Sequence, residues 1–380
     1  MRKRAACRRA RDELARGVEV RFDDVTTDQY DAVVVGSGPN GLAAAVRLAE
    51  GGCSVLVLEA AGVIGGGTRS AELTLPGFVH DVCAAVHALG LSAPALSLKT
   101  LGPHGLRWLW PEVPLVHPLD GGRAGALLRG IEETSAGLGV DGPTWRRLMQ
   151  PIVADWSLLL PQLLGPLVSV PRHPVTMARF GIRAMQPATW LTRRFHTDEA
   201  AALFGGCAAH AMLPLNRPLT AAFGLMLAGS AHADGWPGAA GGSQAVADAL
   251  TARLGELGGK VRPTSWCARC ADLPPCKVAL FDTNPAQLAS IAGNALPSRY
   301  RHRLQRFRHG PGAFKIDYAL DGAVPWTNEV CRQAGTVHVI GTFAELSAAE
   351  ADVASGRMPD RPFVLVVQTV GVRSDASPSR

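Results

Sequence analysis

The sequence predicts an α/β fold: a discontinuous Rossmann-like domain with a parallel sheet, interrupted by an inserted domain of mixed α+β type. Three observations carry this. A strand, a glycine turn, a helix and a second strand follow one another between Tyr30 and Glu59. Residues 74–237 then change to Pro-interrupted apolar segments such as Trp156–Leu160 and Leu219–Leu227, which read as short helices. From Gly238 to Ala292 the helix-and-strand alternation of the first region returns. With 380 residues, 47% of them hydrophobic and 18% charged, the chain can bury the cores of two domains and is not disordered.

Residues 1–29 read as a basic, disordered leader. Its first sixteen residues hold Arg2, Lys3, Arg4, Arg8, Arg9, Arg11 and Arg16 against Asp12 and Glu13, which supplies five of the six net positive charges. Everything after residue 16 is therefore close to neutral, and a nucleic-acid partner is not expected. The leader has no apolar core of a secretory signal, and no run of about 18 apolar residues suggests a membrane span. The chain reads as cytoplasmic, with the mitochondrial matrix or inner-membrane surface as the alternative in a eukaryote.

The first ordered element is the apolar run Ala32–Val35, as expected of a strand buried on both faces. Gly36-Ser37-Gly38-Pro39-Asn40-Gly41 follows and opens a helix over Leu42–Gly51; Ser54–Leu58 is the next strand. Gly36 permits the tight turn, Gly38 lets backbone approach a pyrophosphate, and Gly41 lets the helix close on the strand. The helix start offers free N–H groups and partial positive charge. Glu59, 18 residues after Gly41, is placed to accept from ribose hydroxyls and would repel a 2′-phosphate, which disfavours NADP. NAD and FAD share this fingerprint. After Glu59 and Ala60 comes a second glycine cluster, Gly65-Gly66-Gly67-Thr68-Arg69. It suits a chain that hugs a long dinucleotide, with Arg69 set to neutralise phosphate. The plain alternatives are a ligand-free turn and a flexible loop with a solvated arginine.

Further on, Ser243–Leu257 reads as a helix with a Gly258-Gly259 cap, followed by strands at Lys260–Arg262 and Val278–Phe281. Ala313–Leu320, Val337–Ile340 and Phe363–Gln368 read as extended. The expected organisation is 1–29 leader, 30–110 and 238–295 nucleotide domain, 111–237 and 296–368 substrate domain, and 369–380 an irregular tail.

Eight cysteines lie scattered along the chain, so no disulfide framework is expected. Cys267, Cys270 and Cys276 cluster but lack a fourth ligand; they read as structural thiols, and no metal is expected. His80, Asp81, His87 and His117 suit packing and hydrogen bonding better than acid–base work, and no catalytic residue is assigned. Arg299, Arg303 and Arg306 fall at i, i+4, i+7, with Arg301 and Arg308 beside them. This is a solvated helix face or a contact with an acidic partner or membrane surface.

Tyr30–Arg69 resembles the FAD-binding entry of the phytoene dehydrogenase-like and amine oxidase-like flavoproteins. Leu75–Asp81, Val113–Gly122 and Trp236–Ala245 resemble, more narrowly, the NAD(P)/FAD-dependent oxidoreductases grouped with the animal pyridine nucleotide-disulphide oxidoreductase domain protein. The resemblance covers about residues 30–368. It implies FAD as cofactor, Val261 giving backbone contacts beside the adenine, and Asp282 at a strand end facing the cofactor. It also implies a dehydrogenase- or desaturase-like oxidoreductase passing hydride from a small apolar organic substrate to flavin, with a quinone, O2 or another carrier as electron acceptor and peripheral membrane contact as a possibility. Residues 60–80 hold no cysteine, so the chain does not resemble a disulfide reductase. The relatives continue well beyond Gln368, and Thr369–Arg380 reads as a truncated tail. Two alternatives follow: a catalytically dead, flavoprotein-like binding protein and an NAD-dependent dehydrogenase. No oligomeric state is assigned.

Overall fold

Ala32, Val33 and Val34 are fully buried, and their position explains why. Their strand, Tyr30–Val35, lies inside a four-stranded parallel sheet ordered Cys276–Phe281, Tyr30–Val35, Val55–Leu58, Lys260–Arg262. Ala32 pairs with Val278 on one side and Val55 on the other. The short strand carrying Lys260 and Arg262 forms one edge, where charge discourages further pairing. The computed structural model describes residues 29–166 and 170–368. The basic leader up to residue 28 and the tail 369–380 lie outside the described residues.

Helix Pro39–Glu50 begins three residues earlier than expected, because Pro39 at its first turn needs no hydrogen-bond partner and has its φ preset. Its buried side (Leu42, Ala45, Val46, Ala49) packs with helix Gln244–Glu256, which buries Val246, Ala249 and Leu250. Arg253 reaches both Glu50 (3.3 Å) and Glu256 (2.6 Å) across the exposed side of this pair.

The chain forms two compact units. The first holds residues 29–85, 93–107 and 239–309; the second holds 86–92, the described residues of 108–238, and 310–368. The return to the second unit thus falls at Gly310, not near residue 296. Helices Pro285–Ala292 and Ser298–Gln305 pack on each other within the first unit.

The second unit has its own sheet, ordered Val364–Val367, Ala334–Val339, Val113–Pro118, Ala124–Leu127. Its two inner strands run parallel and both outer pairings are antiparallel. Against it lies helix Asp198–Ala209, and against that helix lies Thr220–Ala233. Glycines set these distances. A Cβ on Gly224 would lie 2.6 Å from Phe204 Cζ, and one on Gly205 would overlap the Phe343 ring. Trp145, Met149, Leu203, Phe204 and Leu225 are fully buried around them. The Trp145 indole donates to His232 Nε2 (3.0 Å), so His232 carries its proton on Nδ1, facing Arg129 O at 3.1 Å. Burial holds His232 below its ordinary pKa, in keeping with this neutral form.

Ala313–Leu320 departs from expectation. Despite its alternating pattern it joins no sheet among the described residues, and Phe314 is 91% exposed. No helix among the described residues is long and apolar enough to cross a membrane.

Candidate functional site

The site is built where the first unit's strands end. Gly36 follows Val35 in the left-handed region, at φ 105°. Any Cβ there would sit 2.5 Å from the backbone oxygen of Asp282, so the turn requires glycine. Its amide donates to Leu58 O at 2.8 Å, and the Asp282 amide donates to Val35 O at 2.8 Å. Three strand ends are thereby locked side by side.

Gly38 is the residue before the helix, and no side chain caps the helix locally. The Asp282 carboxylate does so from a distance, accepting from the Gly41 amide at 2.9 Å. The exposed Asn40 amide makes no hydrogen bond among the described residues.

The second glycine cluster packs on the first. Gly65 donates its amide to Ser37 O (3.1 Å) and to Ser37 Oγ (3.2 Å). A Cβ on Gly66, itself at φ 53°, would lie 2.9 Å from Gly38 Cα. Backbone therefore lies on backbone at the pyrophosphate position that sequence assigned. Thr68, buried, donates its hydroxyl to Gly65 O at 2.8 Å and fixes the turn; Gly67 is exposed beside it. Arg69 Nε donates to Gly66 O at 2.9 Å, while its terminal nitrogens make no hydrogen bond or ion pair among the described residues.

Glu59 ends the Val55–Leu58 strand and is already engaged. Oε2 accepts from the Ser37 amide (2.9 Å) and hydroxyl (2.6 Å), and Oε1 accepts from the Ala61 amide (2.8 Å). Burial pushes its pKa up, but the hydrogen bonds from Ser37 and Ala61 and the nearby charge of Arg69 outweigh that and hold it below the ordinary carboxylate value. Ala60 is exposed next to it. Val261 lies on the edge strand opposite Val57, whose neighbour Arg262 accepts the Glu59 amide at 3.0 Å. Sequence reading expects Glu59 to hold a ribose; its bridge to Ser37 is a contact that only the fold reveals. Glu59→Ala should cost the ligand-free protein about 2 kcal/mol by orphaning donors on Ser37 and Ala61. Urea unfolding without nucleotide measures this, and an unchanged midpoint would refute the bridge.

Asp81 is 5% exposed and accepts from Ser70 Oγ (2.6 Å) and the Ser243 amide (2.7 Å), which fastens the start of helix Gln244–Glu256. His80 meets Thr74 Oγ1 at 2.7 Å. In the second unit His87 packs beside Trp108, at 5.1 Å between ring centres, and His117 Nε2 faces Gly341 O at 2.7 Å. His117 also belongs to a buried group that sequence did not point to. His210 Nε2 and His338 Nε2 lie 3.3 Å apart, and the His117 and His338 rings 6.2 Å. His117 Nδ1 and His338 Nδ1 are buried without partners, both beside Gly206, where a Cβ would overlap the His338 ring. Burial pushes His117 down to about 4 and His338 well below its ordinary value.

Cys267, Cys270 and Cys276 are free thiols in one apolar cluster with Tyr30 and Ile291. Burial pushes Cys267 and Cys276 up to about 11, so they are inert. Among the described residues no group of three His, Cys, Asp or Glu can hold a metal.

A family of NAD(P)-binding Rossmann-like domains matches residues 34–97. No curated protein sequence matches the chain. Among solved structures it is similar to an oxidoreductase from Methanosarcina mazei (15% identity, 73% of this chain and 65% of that one, TM-score 0.48). It is also similar to a putrescine oxidase from a study redesigning cofactor binding (22%, 74% and 64%, TM-score 0.46). A third is cyclohexylamine oxidase from Brevibacterium oxydans IH-35A (17%, 73% and 63%, TM-score 0.46). The chain spans 63–65% of the length of these three.

Proposed function

We propose that the first unit binds the ADP half of FAD and that the protein is an FAD-dependent oxidoreductase, dehydrogenase- or desaturase-like, acting on an apolar organic substrate. The observation that carries this is the stacking of Gly66 on Gly38 at the helix start, next to an unengaged Asn40 amide and an arginine with free terminal nitrogens. These residues fit the phosphates of a dinucleotide: the cradle admits no side chain, and its donors are an amide and a guanidinium. A second support is place, since ligands of open parallel sheets bind beyond the carboxyl ends of the strands where strand order reverses. Here that point lies beside Tyr30–Val35, whose neighbours on either side are Cys276–Phe281 and Val55–Leu58.

When bound, the flavin supplies the hydride acceptor. The chain's own residues do the holding. Asn40 N–H and Arg69 would face phosphate, Glu59 would add a ribose contact to its bridge on Ser37, and Val261 would lie beside the adenine. Electrons would leave to a quinone, O2 or another carrier. An NAD-dependent dehydrogenase is the second reading, because the strand–turn–helix fingerprint is common to both cofactors; the Gly65–Arg69 cluster favours the longer dinucleotide.

The test is visible absorption of the purified chain, with and without Gly38→Val. A flavin spectrum in the parent, lost in the variant, is expected. A parent that takes up NAD but no added FAD overturns the cofactor reading. A variant that keeps its flavin overturns the site.

A further inference from the structure

Positive charge outside the leader is concentrated in one short segment of the first unit. Between Thr283 and Ile316 the sequence holds no Asp or Glu, yet Arg299, Arg301, Arg303, Arg306 and Arg308 fall within it. Outside the leader (residues 1–29) and 299–308, the chain has a net charge of −1. Arg299, Arg303, Arg306 and Arg308 are exposed and make no ion pair or side-chain hydrogen bond among the described residues. Five arginines elsewhere, Arg123, Arg146, Arg253, Arg357 and Arg361, each hold a carboxylate.

The segment is also amphipathic. Helix Ser298–Gln305 and its C-cap Arg306 place Arg299, Arg303 and Arg306 in one row. One residue on, and so about 100° around the helix, Tyr300 and Leu304 form a second row, and Phe307 follows just past the cap with its amide donating to Leu304 O. Tyr300 is 37% exposed and Phe307 55%, although both are large and apolar. An aromatic row flanked by a cationic row suits the boundary between lipid headgroups and acyl chains.

We propose that Ser298–His309 is a docking surface for an anionic lipid bilayer. The charge is local, on a chain otherwise close to neutral outside the leader, which suits contact with a plane at one point. A nucleic acid would need a basic track across the body. The inference goes beyond the oxidoreductase reading and does not depend on it, though a bilayer is also where an apolar substrate would dissolve.

Flotation of the full chain with vesicles tests this, using phosphatidylcholine alone or with one third phosphatidylserine. The parent should bind only the anionic vesicles and release at high salt. The triple variant Arg299→Gln, Arg303→Gln, Arg306→Gln should bind on the order of a hundred-fold more weakly. Replacing the same three arginines by Lys should preserve binding. The leader is identical in all three proteins, so its contribution cancels. Phe307→Ser should weaken binding while leaving its salt dependence intact. No binding to anionic vesicles, or Gln and parent proteins within twofold of each other, overturns the proposal. So does a single-stranded oligonucleotide that binds this segment more tightly than the vesicles do.

Discussion

Gly41→Val is expected to destabilise the first unit severely. A Cβ at Gly41 would overlap the Gly36 carbonyl oxygen and would lie 2.9 Å from Asp282 Oδ2 and 3.0 Å from Asp282 Cβ. Gly36 cannot withdraw, because its amide is bound to Leu58 O and its own φ is already at 105°. The helix must therefore leave the sheet, losing the Asp282 cap and the buried contacts of Leu42 and Ala45. Core overpacking with the loss of a cap costs about 4 kcal/mol, a large share of the roughly 5–15 kcal/mol that holds a domain folded. Circular dichroism during urea unfolding should show a lower midpoint or a separate early transition. Gly38→Ala should be milder, since its Cβ would meet only the carboxylate tip of Asp282, at 2.7 Å. A Gly41→Val protein as stable as the parent would mean that helix and turn are not in this contact.

The second large effect is loss of stability in mild acid, centred on the second unit. His117, His210 and His338 are held below their ordinary pKa by burial, and at His338 the neighbouring His210 and His117 lower it further. The unfolded chain takes up protons as pH falls through about 6.5, whereas folded His117 does so only near 4. Its contribution is therefore complete above 6.5 and lost between 6.5 and 4, which for His117 alone amounts to about 3 kcal/mol. Glu350 acts in the opposite direction. Burial pushes it up to about 7, so it gains stability from protonation over the upper part of the same range. Thermal unfolding at pH 7.5 and 4.5 should show the net loss, and Glu350→Gln should make it steeper. A melting temperature unaffected by acid in both proteins would show that the three imidazoles do not stay neutral in a closed core.

What sequence revealed follows from range. The turn Gly36–Gly41, the strands on either side and the glycines at 65–67 were legible because each depends on neighbours within a few residues. The Rossmann-like α/β class followed from those elements, and the four-stranded parallel sheet agrees with it. The Asp282 cap, the Glu59–Ser37 bridge and the histidine trio were not legible, because each joins groups that pattern alone leaves unconnected. Asp282 was flagged only as a strand-end residue, and its partner was not foreseen. Gly206 carried no signal of its own, since its role is to leave room for rings on two other strands. At Ala313–Leu320 an extended pattern was read, but pattern alone is insufficient: a strand needs a partner, and among the described residues this segment joins no sheet.

The Asp282–Gly41 hydrogen bond spans 241 positions of the chain, and this has a consequence for biosynthesis. During translation the first strand pair emerges early, but the strand that covers Tyr30–Val35 and the carboxylate that caps its helix come only after the whole second-unit insertion. At roughly 5–20 residues per second the ribosome needs about 10–50 s to cover that distance. Throughout that interval the nascent β-α-β segment has an uncovered apolar edge and no cap, in a topology whose non-local contacts already make folding slow. The first unit can close only after Asp282 has been made, so its first strand pair waits longest for its partners.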